Sequence, residues 1–420
     1  MNKFTQIFKK KDLRNKILFI LFILVVYRLV ANIPIPYVDT TQLKAFFANN
    51  RFYGLLSALT GGSLAQLSIA MLALGPYISA SIIMQLLTMI FPSLEQMYKY
   101  EGEAGRMKFN QYSRLLTVPL AALQGFGFLV SLQRQHVIGY LSLFQWGTVL
   151  SIVVAGSVFL MWLGELITEK NIGNGVSVLI LAGIVARFPV ELQQALFKYT
   201  PALFLNYLTF VVLAIVVIAG VIYISEAQRN IPVNYARRVR GTKVYGGVST
   251  YLPMRINNAG VIPIIFALSL LLFPGLIANF FANSSVTFIA HTASAVSQFL
   301  HPGGLWYSVF YFLLVFLFTY FYTAVTFDPK SISENIQKQG GYIPGIRPGP
   351  STAQFLYHLL NRVTLVGAIF LGIIAVLPNL VQQSTAVTDF AVGGTSILIV
   401  VSVALEIMKQ MDAQLSMYEY

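Results

Sequence analysis

Polar positions in this chain fall almost entirely between ten long apolar stretches, at residues 17–33, 69–91, 115–132, 149–167, 176–188, 202–224, 260–281, 306–327, 363–380 and 391–408. None shows the strict alternation over about ten residues that marks a membrane-barrel strand, and most approach the ~20 residues a helix needs to cross hydrocarbon. The pattern predicts an all-α polytopic membrane protein with ten transmembrane helices. The fifth stretch is short and follows a Gly173-Asn174-Gly175 break. Five stretches on either side suggest two halves, 1–188 and 189–420, of opposite orientation if they are related. Leu74-Gly75-Pro76-Tyr77-Ile78 opens the second stretch and Gly260-Val261-Ile262-Pro263-Ile264 the seventh, a weak echo of such an inverted repeat.

Composition agrees. Of 420 residues, 56% are hydrophobic and 10% charged, against about 25% charged in soluble domains, so there is too little polar surface for a soluble exterior. The net charge of +13 is distributed by side. Twenty-two of the 28 lysines and arginines fall in the connections that share a face with the two termini. Positive loops stay inside, which predicts cytoplasmic termini in a cell membrane. The basic run before residue 17 precedes an apolar stretch too long for a cleavable leader and predicts a retained first helix.

The chemical inventory argues against catalysis. There is no cysteine, the five aspartates lie outside the stretches, and the four histidines, also outside, are at least ten residues apart, so no metal-ligand cluster forms. Gly61-Gly62-Ser63-Leu64 lacks the second glycine of a serine-nucleophile elbow, and no phosphate-binding loop occurs. No catalytic residue, cofactor or metal is expected. Arg28 is read as the one charge inside a span, most simply an anchor snorkelling to the headgroups. A secondary transporter of small solutes is the alternative reading. Such carriers usually hold midplane carboxylates, which these stretches lack.

Two connections on the basic face are far longer than a helix-to-helix link requires. Residues 229–255 read as an extended hairpin whose tip carries Arg237, Arg238, Arg240 and Lys243, and residues 328–362 present Arg347 on a Pro- and Gly-stiffened loop. Orientation alone is the plainer purpose. It needs charge, though, not some thirty residues of polar chain, which favours docking of a large cytosolic partner such as ribosomal RNA or an acidic protein face.

Several motifs in order resemble one family over essentially the whole chain: Ile33-Pro34-Ile35-Pro36, Pro76-Tyr77-Ile78-Ser79, Glu101-Gly102-Glu103-Ala104-Gly105-Arg106, Trp162-Leu163-Gly164-Glu165, Asn234-Tyr235-Ala236, Pro344-Gly345-Ile346-Arg347-Pro348-Gly349 and Gly393-Gly394-Thr395-Ser396. Each is weak alone; together they resemble the SecY family of pore subunits of the bacterial Sec channel. The resemblance implies an hourglass channel for secretory polypeptides that also releases membrane segments sideways. Its aliphatic ring would be Leu74, Ile78, Val176, Ile180, Ile265 and Ile399. Leu74/Ile78 and Val176/Ile180 are i, i+4 pairs that share a helix face, and aliphatic groups offer water no hydrogen bond. Ordinary interhelical packing is the alternative for each.

The plug helix would be Phe52, Gly54, Leu55, Leu56, Ser57, Ala58, Leu59, Thr60, Gly61, Gly62, Ser63 and Leu64, too short to span; a surface-lying connection is its plainer reading. A lateral gate would run between helices two and three and helices seven and eight, with Gln124 and Asn257 as polar contacts across it and Ser79 nearby. The resemblance also implies the helical partners SecE and SecG, the motor ATPase SecA or the translating ribosome as driver, and contact with signal sequences, nascent polypeptides and membrane lipids. The hairpin tip departs from many relatives in carrying Gly241-Thr242-Lys243 instead of two adjacent basic residues.

Overall fold

The computed structural model describes residues 10–38, 57, 60–135, 137–197, 200–201, 204–235, 238–240, 243–245, 249–257, 259–281, 287–300, 304–384 and 391–417. Each of the ten apolar stretches lies largely on a helix: α1 (Lys11–Ala31), α2 (Gly75–Ile90), with a short α3 (Pro92–Lys99) after it, α4 (Gly102–Arg134), α5 (Leu143–Thr168), α6 (Gly175–Phe197), α7 (Phe204–Glu226), and, beyond the polar projection, α8 (Ile262–Phe281), α9 (Thr287–Phe299), α10 (Leu305–Thr326), α11 (Pro329–Lys338), α12 (Pro350–Ser384) and α13 (Ala391–Met417). Among the described residues five helices are each long and apolar enough to cross a membrane. The pair α2–α3, bent by 111°, makes a sixth, and α6 and α8 contain shorter apolar segments. α7 turns Leu205, Val212, Ile215 and Val216 outward, as a helix facing hydrocarbon would.

Helix ends depart from the apolar pattern where backbone chemistry intervenes. The second helix begins at Gly75, not Ile69, because residues 60–74 form successive turns in which Leu67 (φ 39°) and Ala73 (φ 46°) adopt left-handed backbone. Pro76 lies in the first turn, where its missing N–H costs nothing. Phe91 is extended (φ −106°, ψ 108°) ahead of Pro92, which ends α2. α4 and α12 start 13 residues before their apolar stretches, so their charged inner ends extend beyond the span.

The expected hairpin is present. β1 (Gln228–Tyr235) pairs antiparallel with β4 (Ser249–Arg255), and β2 (Arg238–Arg240) with β3 (Lys243–Tyr245) at the tip. The second projection was not expected to join it. β5 (Gly341–Tyr342) pairs with β1 through Asn234↔Tyr342 and Tyr235↔Gly341, giving a sheet of order β4-β1-β5. Beneath it Ile231, Val233, Met254, Ile336, Ile343, Leu356, Leu359 and Leu360 form one buried cluster. The two projections are a single platform.

Candidate functional site

The first feature is the set of residues expected to form the waist. Leu74, Ile78, Ile180, Ile265 and Ile399 belong to one buried cluster, and Val176 packs against it from its edge. They come from four helices, with Leu74 at the N-cap of α2 and its carbonyl accepting from the Ile78 N–H at 2.9 Å. The glycine-rich break sets the α6 pair. Asn174 Oδ1 accepts from the N–H groups of Val176 (3.0 Å) and Ser177 (3.3 Å), which caps the helix. Gly175 N–H donates to Thr168 Oγ1 at 2.9 Å, and a Cβ on Gly175 would lie 1.7 Å from the Gly164 carbonyl oxygen. Only glycine lets α6 start this close to α5, which directs Val176 and Ile180 inward.

Ile78, Val176 and Ile265 also line a cavity of about 540 Å³ together with polar residues, Tyr77, Gln85, Glu103, Arg114, Glu165, Glu169 and Tyr322 among them. A cavity that water can wet therefore shares wall residues with the aliphatic cluster. Arg114 Nε donates to Glu165 Oε1 at 2.5 Å and ties α4 to α5 along the chamber wall. Sequence reasoning missed this pair. Glu165 falls within the fourth stretch and Glu406 within the tenth, so Arg28 is not the one charge on a span. The signal was available in Trp162-Leu163-Gly164-Glu165, but only the fold brings Arg114 opposite.

Beside the waist, α8 packs against both α2 and α4, and Phe266 on α8 meets Phe318 on α10 edge-to-face at 6.0 Å. Gln124 Nε2 donates to Ser79 Oγ at 3.2 Å, a bond between α4 and α2 on one wall of that seam. Asn257 Nδ2 donates instead to the nearby Gly260 carbonyl at 3.3 Å. These two bonds each stay on their own side of the seam.

Of the expected plug, Phe52, Gly54, Leu55, Leu56, Ala58 and Leu59 lie outside the described residues. Ser57 is helical, and residues 60–64 are turns rather than helix, because Gly61 (φ 65°) and Gly62 (φ 87°) take left-handed backbone. Ser57, Ser63 and Leu64 are buried. Two arginines reach this segment: Arg28 Nη1 donates to the Gly61 carbonyl and Arg187 Nη1 to Ser57 Oγ, both at 3.1 Å. On the platform, Arg347 is exposed on a loop pinned at its C-terminal end, with Ser333 Oγ donating to the Gly349 carbonyl (2.7 Å) and Thr352 Oγ1 to the Arg347 carbonyl (2.8 Å). Arg238, Arg240 and Lys243 sit on the paired β2 and β3 strands; Arg237 lies outside the described residues.

Known proteins share this arrangement. The SecY family model matches residues 68–408. A protein translocase subunit SecY from Thermotoga maritima is 45% identical, covering 99% of this chain and 96% of its own length. One from Streptomyces galbus is 41% identical over 100% and 99%. Among solved structures, one described as "The structure of a protein conducting channel" superposes with a TM-score of 0.67 at 20% identity, covering 94% of this chain and 91% of that one. "Sec61 in the Canine ribosome-channel complex from the endoplasmic reticulum" gives the same TM-score, identity and coverage.

Proposed function

The chain belongs to the SecY family, and from that membership we propose how its parts work as the central subunit of a protein-conducting channel in the cytoplasmic membrane. A signal sequence or membrane segment enters the seam between α2/α4 and α8/α10, the segment ending at Leu64 moves away, and the polypeptide passes through the waist or leaves sideways into lipid. Leu74, Ile78, Val176, Ile180, Ile265 and Ile399 act as the seal. The observation that carries this reading is that the partly polar 540 Å³ cavity shares wall residues with that aliphatic cluster. Aliphatic side chains hydrogen-bond neither ions nor water, so a narrow ring of them resists wetting, yet they discriminate little among the side chains that push through.

Both termini are cytoplasmic, as the basic connections favour. The two halves, 1–188 and 189–420, hinge about the waist. The joined platform, with Arg347 exposed and Arg238, Arg240 and Lys243 toward the tip, docks the motor ATPase SecA or a translating ribosome, whose acidic protein or RNA surfaces suit basic tips. SecE and SecG complete the membrane complex. The chain supplies a path and its partners the work.

Reconstituted vesicles test the reading. Purified channel with its partner subunits should import a secretory precursor when motor and ATP are added. Movement of a metabolite without movement of precursor would overturn it in favour of a small-solute transporter.

A further inference from the structure

We infer that Arg28 and Arg187 are positioning residues that latch Ser57 and residues 60–64 against α1 and α6 and thereby set how strong a signal must be to open the channel. The inference rests on reading that segment as the plug of a polypeptide channel.

The geometry is specific on three sides. From α1, one turn before its end, Arg28 Nη1 donates to the Gly61 carbonyl at 3.1 Å. From α6, Arg187 Nη1 donates to Ser57 Oγ at 3.1 Å, and its aliphatic stem passes Gly62 so closely that a Cβ there would lie 3.5 Å from Cδ. Gly183, one turn before Arg187 and so on the same helix face, meets Gly61 backbone to backbone: a Cβ on Gly61 would stand 2.6 Å from the Gly183 Cα. Tyr27, buried beside Arg28, brings its hydroxyl to 3.0 Å from the same point. Two helices thus converge on Ser57, Gly61 and Gly62 through a glycine-on-glycine contact flanked by two guanidinium bonds.

Both bonds end on neutral acceptors, the Ser57 hydroxyl and the carbonyl of Gly61, a left-handed glycine in a turn. A guanidinium on a carbonyl or hydroxyl is charge-assisted, yet it can be exchanged for water once the segment leaves. That suits a reversible latch better than a permanent brace. A simple snorkelling anchor would direct Arg28 to headgroups instead of into this contact. Loss of one such bond shifts a two-state plug by about tenfold, which corresponds to about 1.4 kcal/mol.

The chain contains no cysteine, so Ser57→Cys, at a position 1% exposed, supplies a single reporter thiol. Channel complex carrying it is reconstituted and treated with a membrane-impermeant maleimide from the outer face without precursor. Adding Arg28→Gln should speed labelling about tenfold, with Arg28→Lys in between. In the Ser57 background, Arg187→Gln should raise resting conductance by a similar factor and admit precursors with weakened signals. Ser157→Cys on α5, also buried, should label equally with and without Arg28→Gln. Labelling and conductance unchanged in both arginine variants would overturn the latch, as would equal acceleration at Ser157, which reports general loosening. If Arg28→Gln does not insert, the Arg187 arm decides. Failure of the unmodified chain to import any precursor in the same vesicles would instead overturn the channel reading.

Discussion

Replacing Ile78 and Ile265 together with asparagine distinguishes a seal from ordinary packing. Both side chains are 8% exposed and line the partly polar cavity from α2 and α8. Burying an isoleucine contributes about 1.5–3 kcal/mol, so losing two costs about 3–6 kcal/mol. If the site stays dry, each amide also goes unpaired at about 1–3 kcal/mol, and the total becomes about 5–12 kcal/mol. That approaches the whole stability of a typical domain, about 5–15 kcal/mol. If the waist is a constriction below a wettable chamber, water enters with the amides, satisfies them and removes the second cost. The expected product is a folded, inserted complex that conducts ions at rest in planar bilayers. A double variant with unchanged resting conductance and a large fall in thermal stability would refute the seal and leave these residues as core.

Three further outcomes follow from the geometry. Gly175→Ala forces a Cβ to within 1.7 Å of the Gly164 carbonyl; α5 and α6 must separate, and thermal stability in detergent should fall by about 1–3 kcal/mol or more, as overpacking does. Arg347→Glu reverses an exposed charge on a pinned loop, so motor-driven import should stop while expression and insertion stay normal; intact import would remove that loop from docking. Gln124→Leu deletes the bond to Ser79, a contact worth about 0.6 kcal/mol in a membrane. Import of a graded series of signal hydrophobicities should shift its threshold by roughly threefold, and an unshifted series would show that the bond does not tune entry.

Much of the fold was legible because hydrocarbon imposes a strong filter. A charge is costly at depth, so the scarcity of charge marks the spans directly, and each of the ten stretches lies largely on a helix. The hairpin arms were legible from β-prone segments around a glycine turn. The start of the second helix was not, because residues 69–74 are as apolar as a helix yet spend that character on buried turns; Ala70 and Met71 are fully buried there. Hydrophobicity reports burial, not the backbone conformation that achieves it. The partners of the seam residues were not legible either. Gln124 is a polar group at apolar depth, which signals that it needs a partner, but partner choice depends on rotamer reach that spacing does not encode.

The sequence by itself determined the class of molecule, the spans, the charged face and the supply of aliphatic residues at i, i+4 spacing, since all of these are local or summed properties of the chain. Tertiary structure alone decided three things. It gathered the six aliphatic residues proposed as the seal from four helices into one cluster, three of them on a partly polar cavity, and it joined two projections about a hundred residues apart into one sheet through Asn234↔Tyr342. It also turned Arg28 from an apparent membrane anchor into a donor to Gly61. Each is a long-range pairing whose partners are specified by shape and hydrogen-bond geometry across the folded interior, and no pattern along the chain carries that information.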